Sequence, residues 1–188
     1  IKENISNLNP CFGRGDTEYL KKEKIVLRKI LKLCGQEKIA RLQGSGSLAL
    51  ELMAINFLYG KVLIIDGGYY SDRLFFLSKC AKRNFGMIKK IKKISWKEID
   101  NFSENYDWIF SCYTETSLGL KIPIEKLARL KKRCKSKLML DATASIGLEK
   151  YHDLSDVLGF SSCKGLFGLT GACFVGFKVN PNNQINSF

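Results

Sequence analysis

The sequence holds one histidine, His152, and three prolines in 188 residues. A lone imidazole excludes a histidine-rich metal site and argues against a Ser–His–Asp mechanism. Few prolines, with 16 glycines in no repeating pattern, exclude a collagen-like or low-complexity chain. The seven cysteines, at 11, 34, 80, 112, 134, 163 and 173, are never closer than ten residues apart. No CxxC metal knuckle can form, and the odd number argues against a closed disulfide framework. They read as reduced, mostly buried small side chains of a cytoplasmic protein. No apolar run reaches the roughly 18–20 residues of a membrane-spanning helix, and the start IKENISNLNP has no signal-peptide apolar region.

What is present is an ordinary globular composition, 45% hydrophobic and 26% charged, with 31 Lys+Arg against 18 Asp+Glu and a net charge of +13. The basic residues gather at Lys21 to Lys32, Lys89 to Lys93 and Arg129 to Lys137. The first and third runs have apolar residues at helical spacing, so their charges read as solvated helix faces. In the middle run, Ile88, Ile91 and Ile94 recur every third residue, which fits neither strand nor helix cleanly. No zinc-finger or RNP-type signature accompanies the charge, and this argues against a nucleic-acid partner.

The chain alternates between two periodicities. Residues 17–34 read as a helix stopped by Gly35, 39–42 as a strand, 48–58 as an apolar helix, 61–66 as a buried strand and 71–82 as a helix. Phe85–Ile91 reads as a third strand. A short helix over 96–102 follows, with Ser95 and Glu98 forming a capping box. Strands at 108–112, 137–140, 157–161 and 173–177 and a helix over 123–134 complete the pattern. The prediction is an α/β three-layer sandwich with a mostly parallel seven-stranded sheet. Residues 1–38 would lead into a domain spanning 39–179, with 180–188 a polar tail.

In such sheets ligands bind beyond the carboxyl ends of the strands. After the first strand comes Gly44-Ser45-Gly46-Ser47, either a plain helix cap or a cradle where backbone N–H groups and the helix dipole meet an anion. It lacks the lysine of a Walker A loop and the GxGxxG of a dinucleotide site. Asp141 ends an apolar strand; it is either an N-cap or the counter-charge of a protonated ligand nitrogen. Lys164 follows another strand among Leu166, Phe167 and Leu169, either as a surface lysine or in apolar company that suits Schiff-base chemistry. Tyr70 would be a packed edge ring or a ligand-stacking one, and the hydroxyl cluster from Tyr113 to Gly119 a solvated loop or part of the same site. One ligand would use an anion cradle, a ring, hydroxyls, a carboxylate and a lysine together: pyridoxal 5′-phosphate.

LQGSGSLALE, KVLIIDGGYYSDR, ETSLGLKIPI, LMLDATASIG and SSCKGLFGLTG together resemble, in order and spacing, the motifs of class V (fold type I) pyridoxal-phosphate aminotransferases. The resemblance covers roughly residues 40–178. It implies the large domain of that fold, with the C-terminal small domain absent. It also implies that Lys164 forms the internal aldimine and moves the substrate proton, that Asp141 keeps the ring nitrogen protonated, and that Tyr70 stacks on the ring with Thr143 on the opposite face. Ser45, Gly46 and Ser47 would cradle the phosphate with Ser161 or Ser162, and Thr116 would bond the phenolic oxygen. The sequence departs from the family at Tyr113, where His is frequent, at Cys163, where Asn or Gln is frequent, and in the bulkier turn before Arg73, at Tyr69, Ser71 and Asp72.

The implied activity moves an amino group from a small amine or amino acid, 2-aminoethylphosphonate-like, to a 2-oxo acid such as pyruvate, in a cytoplasmic homodimer. A lyase or desulfurase of the same class and a non-catalytic basic binding module are the competing readings.

Overall fold

The computed structural model describes residue 13 and residues 15–182; Cys11 and the outer parts of the expected N-terminal segment and polar tail lie outside them. In chain order the elements are α1 (Thr17–Cys34), β1 (Lys38–Gln43), α2 (Gly46–Phe57), β2 (Gly60–Asp66), α3 (Tyr69–Phe85), β3 (Ile88–Ser95), a 3-10 turn (Trp96–Asn101), β4 (Trp108–Cys112), β5 (Thr114–Glu115), β6 (Leu120–Lys121), α4 (Ile124–Arg133), β7 (Lys137–Asp141), a second 3-10 turn (His152–Leu154), β8 (Val157–Ser161) and β9 (Ala172–Phe177). Local chemistry sets many of the ends. The Asp16 carboxylate accepts from the N–H groups of Glu18 and Tyr19 to start α1, and Gly35 closes it in the left-handed region at φ 61°. Ser95 and Glu98 form the expected capping box.

Seven strands make one sheet in the order β1-β9-β8-β7-β4-β2-β3; β5 and β6 form a separate two-stranded hairpin. Only β9 runs antiparallel to its neighbours, β1 and β8. The strands β1, β2, β4, β7 and β8 therefore open their carboxyl ends on one edge.

Alternate strand residues face two separate cores. Leu63, Ile65, Ile109, Leu138, Leu140 and Leu158 pack with α1 and α4. Val62, Ile64, Trp108, Phe110, Met139 and Val157 pack with α2 and α3. Both faces of the sheet are covered, which is why these strands read as continuous apolar runs. The three-layer α/β expectation is met.

The third strand differs from its predicted span of Phe85–Ile91. Phe85 ends α3, Gly86 closes that helix at φ 69°, and β3 runs from Ile88 to Ser95. The three-residue isoleucine spacing has a geometric cause. The register with β2 shifts between Gly60 and Lys61, so that Gly60 pairs with Ile88 but Lys61 pairs with Lys90. This bulge at Lys89 turns Ile88 onto the same core as Ile91, while Ile94 faces the other. Helix α3 also runs longer than the predicted 71–82, and Asp141 lies inside β7 with turns rather than a helix after it.

The turns after β7 are pinned by the single histidine. His152 is buried, its Nε2 lies 2.9 Å from the Ser145 hydroxyl, and the Tyr113 ring meets it edge-on at 5.2 Å. Burial holds His152 below the ordinary imidazole range, against the opposing pull of Glu149 and Asp153. The unfolded imidazole takes up its proton at higher pH than the folded one. This contribution to stability is therefore complete above about pH 6.5 and is lost as the pH falls below it. His152→Gln is expected to flatten the fall of the urea midpoint between about pH 7 and pH 5; an unchanged slope would place the acid sensitivity elsewhere.

Candidate functional site

Four strand-to-loop junctions meet at the carboxyl edge. At the first, Ser45 caps α2 through its backbone alone: its carbonyl accepts from the N–H groups of Leu48 and Ala49, and its exposed side chain makes no capping bond. Among the described residues the N–H groups of Gly46 and Ser47 have no partner, as expected for a first helical turn. Gly46 is buried, and a Cβ there would stand 3.0 Å from Thr143 Oγ1 and 3.5 Å from Ser161 Cβ. The half-buried Arg73 reaches over from α3 and donates to the Ser47 hydroxyl.

At the second, Asp141 is 8% exposed at the end of β7. The Thr143 N–H donates to its Oδ1 at 2.9 Å, and the Cys112 thiol lies 3.9 Å from Oδ2. Burial pushes the Asp141 carboxyl up and the Glu115 charge adds to this, while the nearby Thr143 and the Arg73 charge hold it back. No cation forms an ion pair with it among the described residues. The Thr143 hydroxyl is buried and has no hydrogen-bond partner there either. A desolvated carboxylate and an orphaned hydroxyl side by side are expensive unless something completes them.

The third junction is the β8–β9 loop. Gly165 N–H donates to the Thr143 carbonyl at 3.3 Å, so the residue after Lys164 sits on the turn that follows Asp141. The loop closes on itself through Gly168 N–H to the Ser162 carbonyl and Phe167 N–H to the Lys164 carbonyl. Lys164 is exposed and forms no ion pair among the described residues. Of the expected apolar company only Leu166 is half-buried against the core; Phe167 is 78% exposed and Leu169 64%, so the lysine is not enclosed. Ser161 and Ser162 also part company. Ser161 is buried against the start of α2, whereas the Ser162 hydroxyl donates into its own loop, toward the Leu169 and Ala172 carbonyls.

The fourth junction joins α3 to the β5–β6 hairpin. Tyr70, half-buried in the first turn of α3, meets the Tyr69 ring edge-on at 5.4 Å. Its N–H donates to Glu115, a buried residue that the sequence reading passed over. Thr116 is exposed in the hairpin, next to Glu115. The structure thus brings Ser45, Gly46, Ser47, Asp141, Thr143, Ser161 and the Lys164 loop together directly, and links Tyr70 to Thr116 through Glu115. The signal for Glu115 was the start of α3: Gly67-Gly68 supplies no capping side chain, so the cap had to come from elsewhere in the fold.

No family model matches the chain. The 2-aminoethylphosphonate–pyruvate transaminase of Pseudomonas aeruginosa PAO1 is 29% identical over 178 residues, covering 87% of this chain and 48% of that protein. The enzyme of that name from Klebsiella pneumoniae is 30% identical over 144 residues, 71% of this chain and 39% of that protein. The chain thus spans about half the length, or less, of the curated relatives it matches. Among solved structures, an aspartate aminotransferase from Thermus thermophilus superposes with a TM-score of 0.75 at 21% identity, over 90% of this chain and 51% of that one. An alanine–glyoxylate aminotransferase from Nostoc sp. gives 0.72 at 19% identity, over 92% and 48%. By sequence the chain is similar to 2-aminoethylphosphonate–pyruvate transaminases over about half of their length, and by fold it matches about half of aminotransferases of known structure, with the three-layer α/β architecture of their large domain.

Proposed function

We propose that this chain carries the cofactor site of an aminotransferase that moves an amino group from a small amine to a 2-oxo acid. The observation that carries the reading is Asp141: a buried carboxylate that forms no ion pair among the described residues, beside the N-terminus of α2 and against the loop that holds Lys164. These residues fit pyridoxal 5′-phosphate. The N–H groups of Gly46 and Ser47 and the hydroxyls of Ser45, Ser47 and Ser161 would hold its phosphate, with the Arg73 charge beside them. Asp141 would meet the ring nitrogen, Tyr70 and Thr143 the two ring faces, and Thr116 the phenolic oxygen. The buried Thr143 hydroxyl would gain its missing neighbour.

When bound, the cofactor supplies an electron sink that makes the substrate's Cα–H acidic. Asp141 stabilises a proton on the ring nitrogen, and its burial strengthens that pairing. Lys164 Nζ would anchor the cofactor and, once the amino donor has displaced it, would carry the proton from Cα to the cofactor carbon C4′; among the described residues it forms no ion pair that would oppose this. A 2-aminoethylphosphonate-like donor with pyruvate as acceptor is supported by the names of the matched relatives. A homodimer is supported by exposed Tyr69, Leu118, Phe167 and Leu169, all in the loops or helix start of this edge. A monomer in sedimentation would remove that part. Cytoplasmic placement is supported by cysteines that form no disulfide among the described residues; no helix among them is long and apolar enough to cross a membrane.

The test is spectroscopic. Protein mixed with pyridoxal 5′-phosphate is expected to develop a visible absorption band, and borohydride to fix the label on Lys164. Lys164→Ala should lose both. No band in the wild type, or equal labelling of Lys164→Ala, would overturn the reading.

A further inference from the structure

Helix α3 begins at Tyr69 with no capping side chain of its own. The residue at its N-cap, Gly68, has φ 144°, and a Cβ there would stand 2.8 Å from the Ser117 hydroxyl and 3.0 Å from Glu115 Cγ. Position 68 is thus closed to the Ser, Asp or Asn that normally caps a helix, on grounds of both backbone and space. Glu115 does the capping from another element. Its Oε1 accepts from the Tyr70 N–H at 3.2 Å and the Ser117 hydroxyl at 2.5 Å. Its Oε2 accepts from the Ser71 N–H and the Ser71 hydroxyl, both at 3.0 Å. The Ser117 hydroxyl in turn accepts the Tyr69 N–H at 3.2 Å, and the Ser71 hydroxyl accepts that of Gly67 at 3.0 Å.

Glu115 is 0% exposed and has no cationic partner among the described residues. Four donors and the positive end of α3 are what make a buried charge tolerable there. A simple cap does not require this much. The arrangement ties together two elements far apart in sequence: the helix start that carries Tyr70 and the hairpin in which Thr116 stands between Glu115 and Ser117.

We propose that Glu115 is a positioning residue, which locks Tyr70 and Thr116 into one fixed pair of contacts for the cofactor ring. This rests on the pyridoxal-phosphate reading, in which Tyr70 meets a ring face and Thr116 the phenolic oxygen. A residue that moves both contacts together changes how the ring sits, not only whether the protein is folded.

The test compares wild type with Glu115→Gln, whose amide NH2 faces N–H and hydroxyl donors and forfeits about half of the bonds. The readouts are pyridoxal 5′-phosphate affinity, visible circular dichroism of the bound form, borohydride labelling of Lys164, and hydrogen exchange at residues 69–71 and 116–118. Expected are a roughly tenfold weaker affinity, an altered visible dichroism with Lys164 still labelled, and faster exchange in both segments together. Unchanged affinity and dichroism with faster exchange would make Glu115 a purely structural cap and overturn the proposal. If the wild type takes up no cofactor, the cofactor reading fails. The proposal, which rests on that reading, then falls with it, whereas normal uptake by the wild type with an unaffected variant overturns the proposal alone. Should Glu115→Gln not fold, Ser117→Ala keeps the carboxylate and removes one of its four bonds together with the acceptor of the Tyr69 N–H; a smaller change in visible dichroism supports the proposal, and no change overturns it.

Discussion

Asp141→Asn is expected to stabilise the cofactor-free protein and to disable it. The carboxylate is buried, has one backbone N–H and a distant thiol as partners, and forms no ion pair among the described residues. Asn has the same shape, its carbonyl can accept the Thr143 N–H, and it has no charge to desolvate. The expected gain is about 1 kcal/mol, or about 2–4 °C in melting temperature for a chain of this size. The pH dependence gives the sign independently. Burial raises the folded carboxyl above its unfolded value, so between the two values the folded state holds a proton that the unfolded state has lost. Stability is therefore complete below the unfolded carboxylate range and is lost as the pH rises through the folded value. In Asp141→Asn that loss disappears. Asn cannot stabilise a proton on the ring nitrogen, and amino transfer is expected to fall by about a hundredfold or more. A variant that melts lower than wild type, or that turns over normally, would contradict the assignment.

The same residue shows what a sequence can reveal. A carboxylate at the end of LML stands out because such a run belongs inside a sheet, and the sheet's topology places its end at the ligand edge. Ser45, Gly46 and Ser47 stood out for a related reason: a Gly/Ser turn between a strand and an apolar helix is either a plain cap or an anion cradle, and the topology of the sheet places it at the same edge. The residues that were not legible are those whose roles depend on register or on a remote partner. Ile88, Ile91 and Ile94 made no sense as either periodicity until the bulge opposite Gly60 and Lys61 shifted the phase between them. Glu115 sits in a polar stretch that resembles any solvated loop, yet it is buried because the start of α3 folds over it. Ser161 and Ser162 are equivalent in the sequence, and only the closure of the β8–β9 loop commits the second to its own backbone. The exposure of Lys164 also depends on that loop, since the apolar neighbours at 167 and 169 point away from the core.

Gly165→Ala is expected to disconnect the lysine from the rest of the site. A Cβ at 165 would stand 2.1 Å from the Ile146 carbonyl oxygen and 3.2 Å from its carbon, both backbone atoms of the turn that follows Asp141 and Thr143. Contacts under 3.0 Å do not persist, and backbone held by neighbouring hydrogen bonds has little room to yield. Ile146 is held there: its N–H donates to the Ala142 carbonyl at 2.9 Å. The loop must therefore lift, which breaks the bond from Gly165 N–H to the Thr143 carbonyl and carries Lys164 outward from Asp141. The sheet is untouched, since both β8 and β9 keep their pairing. The destabilisation should accordingly be about 1–3 kcal/mol, in the range of other overpacked sites. The functional loss should be larger, about a hundredfold in the rate at which Lys164 takes up pyridoxal 5′-phosphate, because a shift of about 1 Å is enough for that. Stopped-flow absorbance with wild type and Gly165→Ala measures the rate, and thermal melting measures the stability. Equal uptake rates would mean that the lysine finds the cofactor without the contact at 165. A collapse of stability with no specific loss of rate would mean that the loop supports the fold more than the site.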